Sequence, residues 1–419
     1  MGASFASSVA IALLALCLPP AARAMSLREA VNAGLLIHPQ WHAALAEAER
    51  AGTEVDIART GYFPTLQLSG GPKAGDMGAL VYDVTLSQPL FDWGRAGSAV
   101  AKAGAEQRGL QAAAEVARDD AALDITETYL DVLLAGRRAG AAARYVERTE
   151  AVARMAQLRS GSGYADRAES ERANLELARG REQLAVEEGA LADAQGQFRI
   201  LVGSDAVGLL EPVAVQIPGI GDEPGLQQLI SHSPLQRRAE EVINKAEADM
   251  RRARAALLPQ LNVEASALRR EIGGHMQDDA VVAVRLRMDP MQGLSGFQRS
   301  AAARQQMEAA YWNADATRRE LRRKLHSLQD SAATLERRLA ALQIQVAEAE
   351  QVANLYRDQF GIGRRDIVDL LTVQREQLEA ERQLLALQSE RIRLGYRAAA
   401  QLGLLCSLLE GNGHAHATH

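Results

Sequence analysis

The chain has 419 residues, with 47 Lys and Arg against 53 Asp and Glu, a formal net charge of −6 and only 4% aromatic residues. This mildly acidic, evenly mixed balance excludes a basic nucleic-acid surface, so no nucleic-acid partner is expected. Alanine, glutamate, arginine, glutamine and leucine dominate, which is the composition of long helices and coiled coils.

Residues 1–24 read as a secretory signal peptide. Val9 to Leu18 is apolar but too short to span a bilayer as a mature helix, and Ala22-Arg23-Ala24 fits an A-x-A cleavage site. The terminal amine is the n-region's only positive charge. A lipoprotein reading would use Cys17, but Leu16 stands where a small residue is expected, so cleavage after Ala24 is preferred. Cys406 is then the one remaining cysteine, which excludes an internal disulfide. No later stretch is apolar enough for a membrane helix. Any span must come from strands, which need only about 9–11 residues each.

The remainder is a repeat. Pro39 and Pro64 match Pro234 and Pro259 at one spacing, with Ala58-Arg59 matching Ala253-Arg254. Gly161, Gly163, Asp166 and Gly203 match Gly361, Gly363, Asp366 and Gly403 at a spacing a few residues longer. The organisation expected is a first repeat over 25–203 with a β-hairpin at 65–88, a linker or equatorial segment at 204–225, a second repeat over 226–403 with a hairpin at 260–289, and a short tail at 404–419. A duplicated unit of this length is an architectural plan rather than a solenoid.

Each half predicts a helix running up to a proline, over Trp41 to Tyr62 and Arg237 to Leu257, because the residue before proline is pushed out of helical space. Two alternating segments follow. Leu80, Tyr82, Val84 and Leu86 oppose Val81, Asp83, Thr85 and Ser87; Val282, Val284, Leu286 and Met288 oppose Ala283, Arg285 and Arg287. Leu66 and Leu68 oppose Thr65, Gln67 and Ser69, and Leu261, Val263, Ala265 and Ala267 oppose Asn262, Glu264 and Ser266. Period two with one apolar and one polar face fits a membrane barrel with a wet lumen, which would place Asp83, Thr85, Arg285 and Arg287 in that lumen. A soluble hairpin on a helical core is the plainer reading of any single strand. Four strands cannot close in lipid, so the barrel reading requires an oligomer, a dimer with eight strands or a trimer with twelve. Leu86 lies three residues before Pro89 and Met288 two before Pro290, which predicts a bulge or a deletion.

Long helices are predicted from Trp93 to about Ser160 and from Phe297 to about Gln359, each reaching about 90–100 Å at 1.5 Å per residue. None is apolar all round, so they read as solvated helices in a bundle or hollow cylinder. Gly-x-Gly turns and return helices complete each half. No nucleophile–base set, Walker motif or H-E-x-x-H appears; the chain reads as a non-enzyme with no cofactor or metal. His414, His416 and His419 are read as a terminal tail, since nothing rigid spaces them.

Two motifs resemble the TolC family of outer-membrane factors. One is the helix–proline–strand junction, Tyr62-Phe63-Pro64-Thr65-Leu66 and Leu257-Leu258-Pro259-Gln260-Leu261, with the exit Gln88-Pro89-Leu90-Phe91-Asp92-Trp93-Gly94. The other is the helix tip, Phe360-Gly361-Ile362-Gly363-Arg364-Arg365-Asp366-Ile367-Val368-Asp369-Leu370-Leu371. The resemblance covers nearly the whole processed chain. It implies a mainly α fold with a small β part, in which long antiparallel helical hairpins form a periplasmic α-barrel and each chain gives four strands to a trimeric twelve-stranded barrel in outer-membrane lipid. The implied partners are two further copies, a periplasmic membrane-fusion adaptor and, through it, an inner-membrane pump. The turns at Gly161, Gly163, Gly361 and Gly363 would be the adaptor contact.

The same resemblance places a periplasmic gate at Arg365, Asp366, Asp369 and Glu169. Arg365 matches the family's tip arginine, Asp369 its first ring acid and Glu169 an acid that holds the arginine, so an Arg365–Glu169 pair is expected. The second ring acid falls on Thr372 and is absent, with Asp366 as a displaced substitute. Phe360 stands where a tyrosine would lock the gate, so that hydrogen bond should be missing. Without the resemblance these acids read as ordinary helix N-terminal acids. The Asp92-Trp93-Gly94-Arg95 exit and the Gly163-Tyr164-Ala165-Asp166-Arg167-Ala168-Glu169 tip are more similar to outer-membrane partners of type I secretion, including those exporting large adhesins, than to drug-efflux members. The rivals are a drug-efflux outer-membrane factor, a periplasmic coiled-coil adaptor or scaffold, and a soluble coiled coil. An adaptor would show soluble β domains flanking one hairpin, which two equivalent halves do not provide.

Overall fold

A computed structural model describes residues 24–73, 76–164, 166–272, 275–288 and 295–411. Residues 1–23, which carry most of the expected signal peptide and Cys17, lie outside them, as do Ala165, Pro290 and the three tail histidines. The elements are α1 (Leu27–Leu35), α2 (Pro39–Arg59), β1 (Thr65–Lys73), β2 (Asp76–Phe91), α3 (Arg95–Gly161), α4 (Arg167–Val202), α5 (Glu223–His232), α6 (Pro234–Ala255), β3 (Gln260–Ile272), β4 (His275–Arg287), α7 (Ser295–Gly361), α8 (Ile367–Leu402) and α9 (Leu405–Gly411). The protein is mainly helical with one small sheet.

The duplication is reproduced element by element. Helices α3 and α7 each have 67 residues, and α4 and α8 each have 36. The return helices start on matching aspartate N-caps, Asp166 and Asp366, and stop on matching left-handed glycines, Gly203 (φ 77°) and Gly403 (φ 72°). Such caps satisfy the end groups a helix cannot pair within itself.

Two compact units divide the chain, with boundaries inside α3 and α7. One comprises Gln40–Ala117 and Asp222–Lys324 and carries the sheet. The strands run antiparallel in the order β1-β2-β3-β4, so among the described residues β1 and β4 are open edges. The register fixes two faces, because directly paired residues share a side and neighbours alternate. Leu66 pairs with Leu86 and Leu68 with Val84; Val84 meets Ala267, and Val263 meets Val284. On the opposite face Gln67, Thr85 and Ser266 form one row, and Asn262 pairs with Arg285. This is the division expected from the alternation, although the side chains of Leu80 and Val81 lie outside the described residues. The expected irregularity sits in β2. Pro89 pairs with Asn262 and Phe91 with Leu261, leaving Leu90 out of register. Proline cannot donate to the ladder, so a bulge beside it is the natural accommodation.

Helices α3 and α6 in this unit are laced by ion pairs: Lys102–Asp249 at 2.9 Å, Arg108–Glu241 at 2.9 Å and Lys245–Glu106 at 3.2 Å.

The described residues of the second unit are 24–39, 118–164, 166–221 and 325–411. Its core is built with small residues that let helices approach. Gly34 of α1 lies so close to Ile125 of α3 that a Cβ there would fall 2.5 Å from the isoleucine Cδ1. The irregular stretch between α4 and α5 is pinned through its carbonyls. Tyr129 donates its one hydroxyl proton to Leu210 (2.6 Å), shared with the Met25 carbonyl at 2.9 Å near the start of the described chain, and Tyr396 donates to Val213 (2.9 Å). The stretch read as a C-terminal tail instead opens with α9. Asp119 of α3, itself buried, accepts the amides of Leu405 and Cys406 at 2.9 and 3.2 Å, and Arg118 pairs with Glu410 at 2.8 Å.

Candidate functional site

The strand exit is a built joint. Asp92 Oδ1 accepts the amide of Gly94 (2.9 Å) and Oδ2 that of Ala96 (2.7 Å), capping α3. Trp93 takes a left-handed backbone (φ 57°), the only described non-glycine residue to do so, and Gly94 follows at φ 81°. Bulky residues avoid that region, so the strain at Trp93 must be offset. The indole supplies the offset by donating 2.7 Å to the Pro259 carbonyl and packing edge-on to Phe91 at 4.8 Å. Arg95 donates to the carbonyls of Ala255, Ala256 and Leu258. The Asp-Trp-Gly-Arg motif therefore locks the exit of the first hairpin onto the entry of the second.

On the polar face of the sheet, Thr85 donates to Asp83 at 3.0 Å. Arg285 and Arg287 do not stand alone. Arg285 Nε lies 3.0 Å from Glu264, and Arg287 pairs with the same carboxylate. Glu264 is 4% exposed, while both arginines remain 55% exposed at the side chain. The alternation put Glu264 on this face but could not show that one acid collects two cations, since both arginines come from the neighbouring strand.

At the helix tips, Gly163 (φ 75°) and Gly363 (φ 74°) occupy left-handed positions, whereas Gly161 and Gly361 end their helices. The amides of Tyr164 and Arg364 reach back to the carbonyls of Arg159 and Gln359, at 3.0 and 2.8 Å, closing two equivalent turns. Beneath them Val152, Ala153, Ala156, Ala173, Phe360, Ile367, Leu370 and Leu371 form one buried cluster.

The expected Arg365–Glu169 pair is corrected by this geometry. Arg365, in the turn just before α8, reaches into the first turn of that helix, 3.3 Å from Asp369, with its guanidinium 3.8 Å from the centre of the Tyr356 ring. Glu169 faces Arg159, whose Nη2 is 3.9 Å away, an ion pair too long to be a hydrogen bond. Asp366, read as a displaced ring acid, is the N-cap of α8, its Oδ1 accepting the Val368 amide at 2.6 Å. An acid there is thus accounted for without a gate. Phe360 is fully buried, and its carbonyl takes a 2.7 Å hydrogen bond from Arg159. Arg159 and Tyr356 were not marked by the sequence. Their counterparts in the other half are Gln359 and Ala156, so repeat matching gives no sign of them.

Among the described residues no group of three or more His, Cys, Asp or Glu is placed to hold a metal ion, and no helix is long and apolar enough to cross a membrane.

The profile described as "Outer membrane efflux protein" matches residues 32–204 and 225–395, once per repeat. The chain is 26% identical over 362 residues to protein CyaE of Bordetella pertussis, covering 82% of this chain and 71% of that one. Among solved structures, the outer membrane protein VceC of Vibrio cholerae superposes with a TM-score of 0.78 at 17% identity, over 90% of this chain and 96% of VceC. The outer-membrane channel OprN gives 0.80 at 18% identity, over 90% and 89%.

Proposed function

Because the chain belongs to the outer membrane efflux protein family, whose members are outer-membrane channels and not enzymes, we propose that three copies assemble into one export tunnel. The observation that carries this reading is the sheet. Its strands are long enough to cross a bilayer, its apolar face is exposed, and among the described residues its two edges are open. In lipid an open edge leaves backbone groups unpaired, and closed barrels start at about eight strands. Four strands per chain therefore call for a shared ring. The resemblance at the helix–proline–strand junctions favours twelve strands over eight.

In such an assembly Asp83, Thr85, Arg285 and Arg287 face the barrel lumen. The helical tips form the periplasmic mouth, where Asp369 lines the constriction and Arg159, through the Phe360 carbonyl and Glu169, holds the closed state. The turns at Gly161, Gly163, Gly361 and Gly363 offer the docking edge for a periplasmic adaptor that links the tunnel to an inner-membrane pump. Type I secretion is the finer reading. It rests on the Asp92–Arg95 exit and the Gly163–Glu169 tip, and the likeness to CyaE supports it.

Mass measurement of the detergent-extracted protein tests the assembly: three copies are expected, and a conducting monomer or dimer would overturn it. Deleting the chain in its source cell tests the finer reading. Type I secretion expects one or a few polypeptides to vanish from the medium with drug susceptibility unchanged. Raised susceptibility with an intact secretome would make it a drug-efflux factor.

A further inference from the structure

We propose that Glu264, Arg285 and Arg287 form an anion-binding site on the polar face of the sheet, and that this site gives the inner end of the barrel its charge preference. The inference rests on the channel reading above. Three observations carry it.

The first is stoichiometry. One buried carboxylate meets two guanidiniums, so the cluster keeps a net positive charge in every chain. A buried acid that only needed neutralising would be satisfied by one arginine. On the other face of the sheet even the exposed acid Asp278 takes only one arginine, Arg269, at 3.3 Å.

The second is exposure. The acid is 4% exposed and each arginine 55%, so the cluster turns its cationic side outward. Arg285 reaches Glu264 through Nε and Arg287 through one Nη nitrogen. A guanidinium carries five N–H groups in a planar fork, so donors remain for a second oxyanion. Glu264 offsets one of the two positive charges, so the forks hold an anion less tightly than they would beside a neutral residue.

The third is position. Gln260 opens β3 and pairs with Arg287, which closes β4, so the cluster lies at the helix end of the sheet. The nearest acids on that face besides Glu264 are Asp83 and Asp279, which share a row through Leu268. That row is six strand positions from Arg285, about 20 Å along the strands. It is far enough that screening at ordinary salt leaves the positive belt its own field. The ligand class is a small multivalent oxyanion or the acidic segments of a passing substrate, which share carboxylate or phosphate oxygens.

The test is block of single channels in planar bilayers by inorganic tripolyphosphate added on the barrel side, where the closed tip does not intervene. The wild-type channel should be blocked. Arg285→Gln and Arg287→Gln should each weaken block on the order of fivefold, as expected for removing one charge beside a multivalent ion in a wet lumen. Arg287→Lys should retain most of it, and Glu264→Gln should strengthen it. An unblocked wild-type channel would overturn the proposal, as would equal block in all four variants. If a glutamine variant at an arginine fails to assemble, the sign at Glu264→Gln decides: stronger block supports the site and unchanged block removes it. A preparation that forms no channel at all sinks the channel reading, and the inference with it.

Discussion

Arg159 of α3 donates a 2.7 Å hydrogen bond to the Phe360 carbonyl at the end of α7, and its guanidinium lies 4.6 Å from the centre of the Phe360 ring. One side chain thus ties the first helical tip to the second. Hydrogen bonds to charged groups are worth about 1.5–3 kcal/mol, whereas a solvent-exposed ion pair such as Arg365–Asp369 is worth about 0.2–1 kcal/mol. Arg159→Ala should therefore loosen the tip and raise single-channel conductance well above wild type, while Arg365→Ala should change it little. The reverse order in correctly assembled protein would return the latch to Arg365.

The two glycines of each turn should differ in tolerance. Gly163 and Gly363 have positive φ, and an alanine there costs about 1–2 kcal/mol of backbone strain. Gly161 and Gly361 end their helices with nothing within 4 Å of a built Cβ. Gly163→Ala and Gly363→Ala should speed amide exchange across the tips, and Gly161→Ala and Gly361→Ala should not. Equal protection in all four variants would show that the left-handed turns are dispensable.

The register assigns neighbouring residues of β2 to opposite faces. Val84 pairs with Leu68 and Ala267, and Thr85 with Gln67 and Ser266. Arginine at a lipid-facing midplane position costs about 2–4 kcal/mol and little on a wet lumen. Val84→Arg should sharply lower the yield of heat-labile oligomer in outer membranes, and Thr85→Arg should leave it near wild type. Similar yields would contradict the assignment of faces.

Docking of the C-terminal helix should depend on Asp119 and on pH. Burial raises the Asp119 carboxyl above its ordinary value of 3.8, against hydrogen bonds that lower it. A raised folded-state value means the folded chain holds the proton more tightly than the unfolded one. This contribution is then full below about pH 4 and is lost as pH rises through the folded value. Exchange of the Leu405 and Cys406 amides should accelerate over that window. Asp119→Asn should abolish the pH dependence and cost about 1–3 kcal/mol, because a carboxamide has one acceptor oxygen for two amides. A pH response that persists in Asp119→Asn would assign it to another group.

Much of the fold is legible in the sequence because its signals are local or repeated. Pro64 and Pro259 end helices by backbone sterics alone, and the alternation from Tyr82 to Ser87 needs only the strand's period of two. The bulge was announced by the unequal distances from Leu86 to Pro89 and from Met288 to Pro290. What stayed hidden depends on residues far apart in the chain. Arg159 meets Phe360 across about two hundred positions, and Asp119 meets Cys406 across still more. Glu264 looked like any polar strand residue until the register set it against two arginines. The gate pairing failed for a related reason: shared membership of a tip layer does not choose a partner, and Asp369, four residues on in the first turn of α8, competes for Arg365 at no cost in chain reach.

The open edges of the sheet also have a kinetic consequence. Among its described residues a single chain can satisfy its helices but leaves β1 and β4 unpaired at their outer edges, with Val282 at 76% and Leu286 at 68% exposure. A lone protomer in water therefore presents the sticky template from which mispaired aggregates grow. If ring closure draws on three copies at once, its early rate falls with a high power of protomer concentration, while off-pathway pairing of two edges falls less steeply. Dilution should then favour the wrong product, and correct assembly should depend on delivering chains to the bilayer close together in space and time.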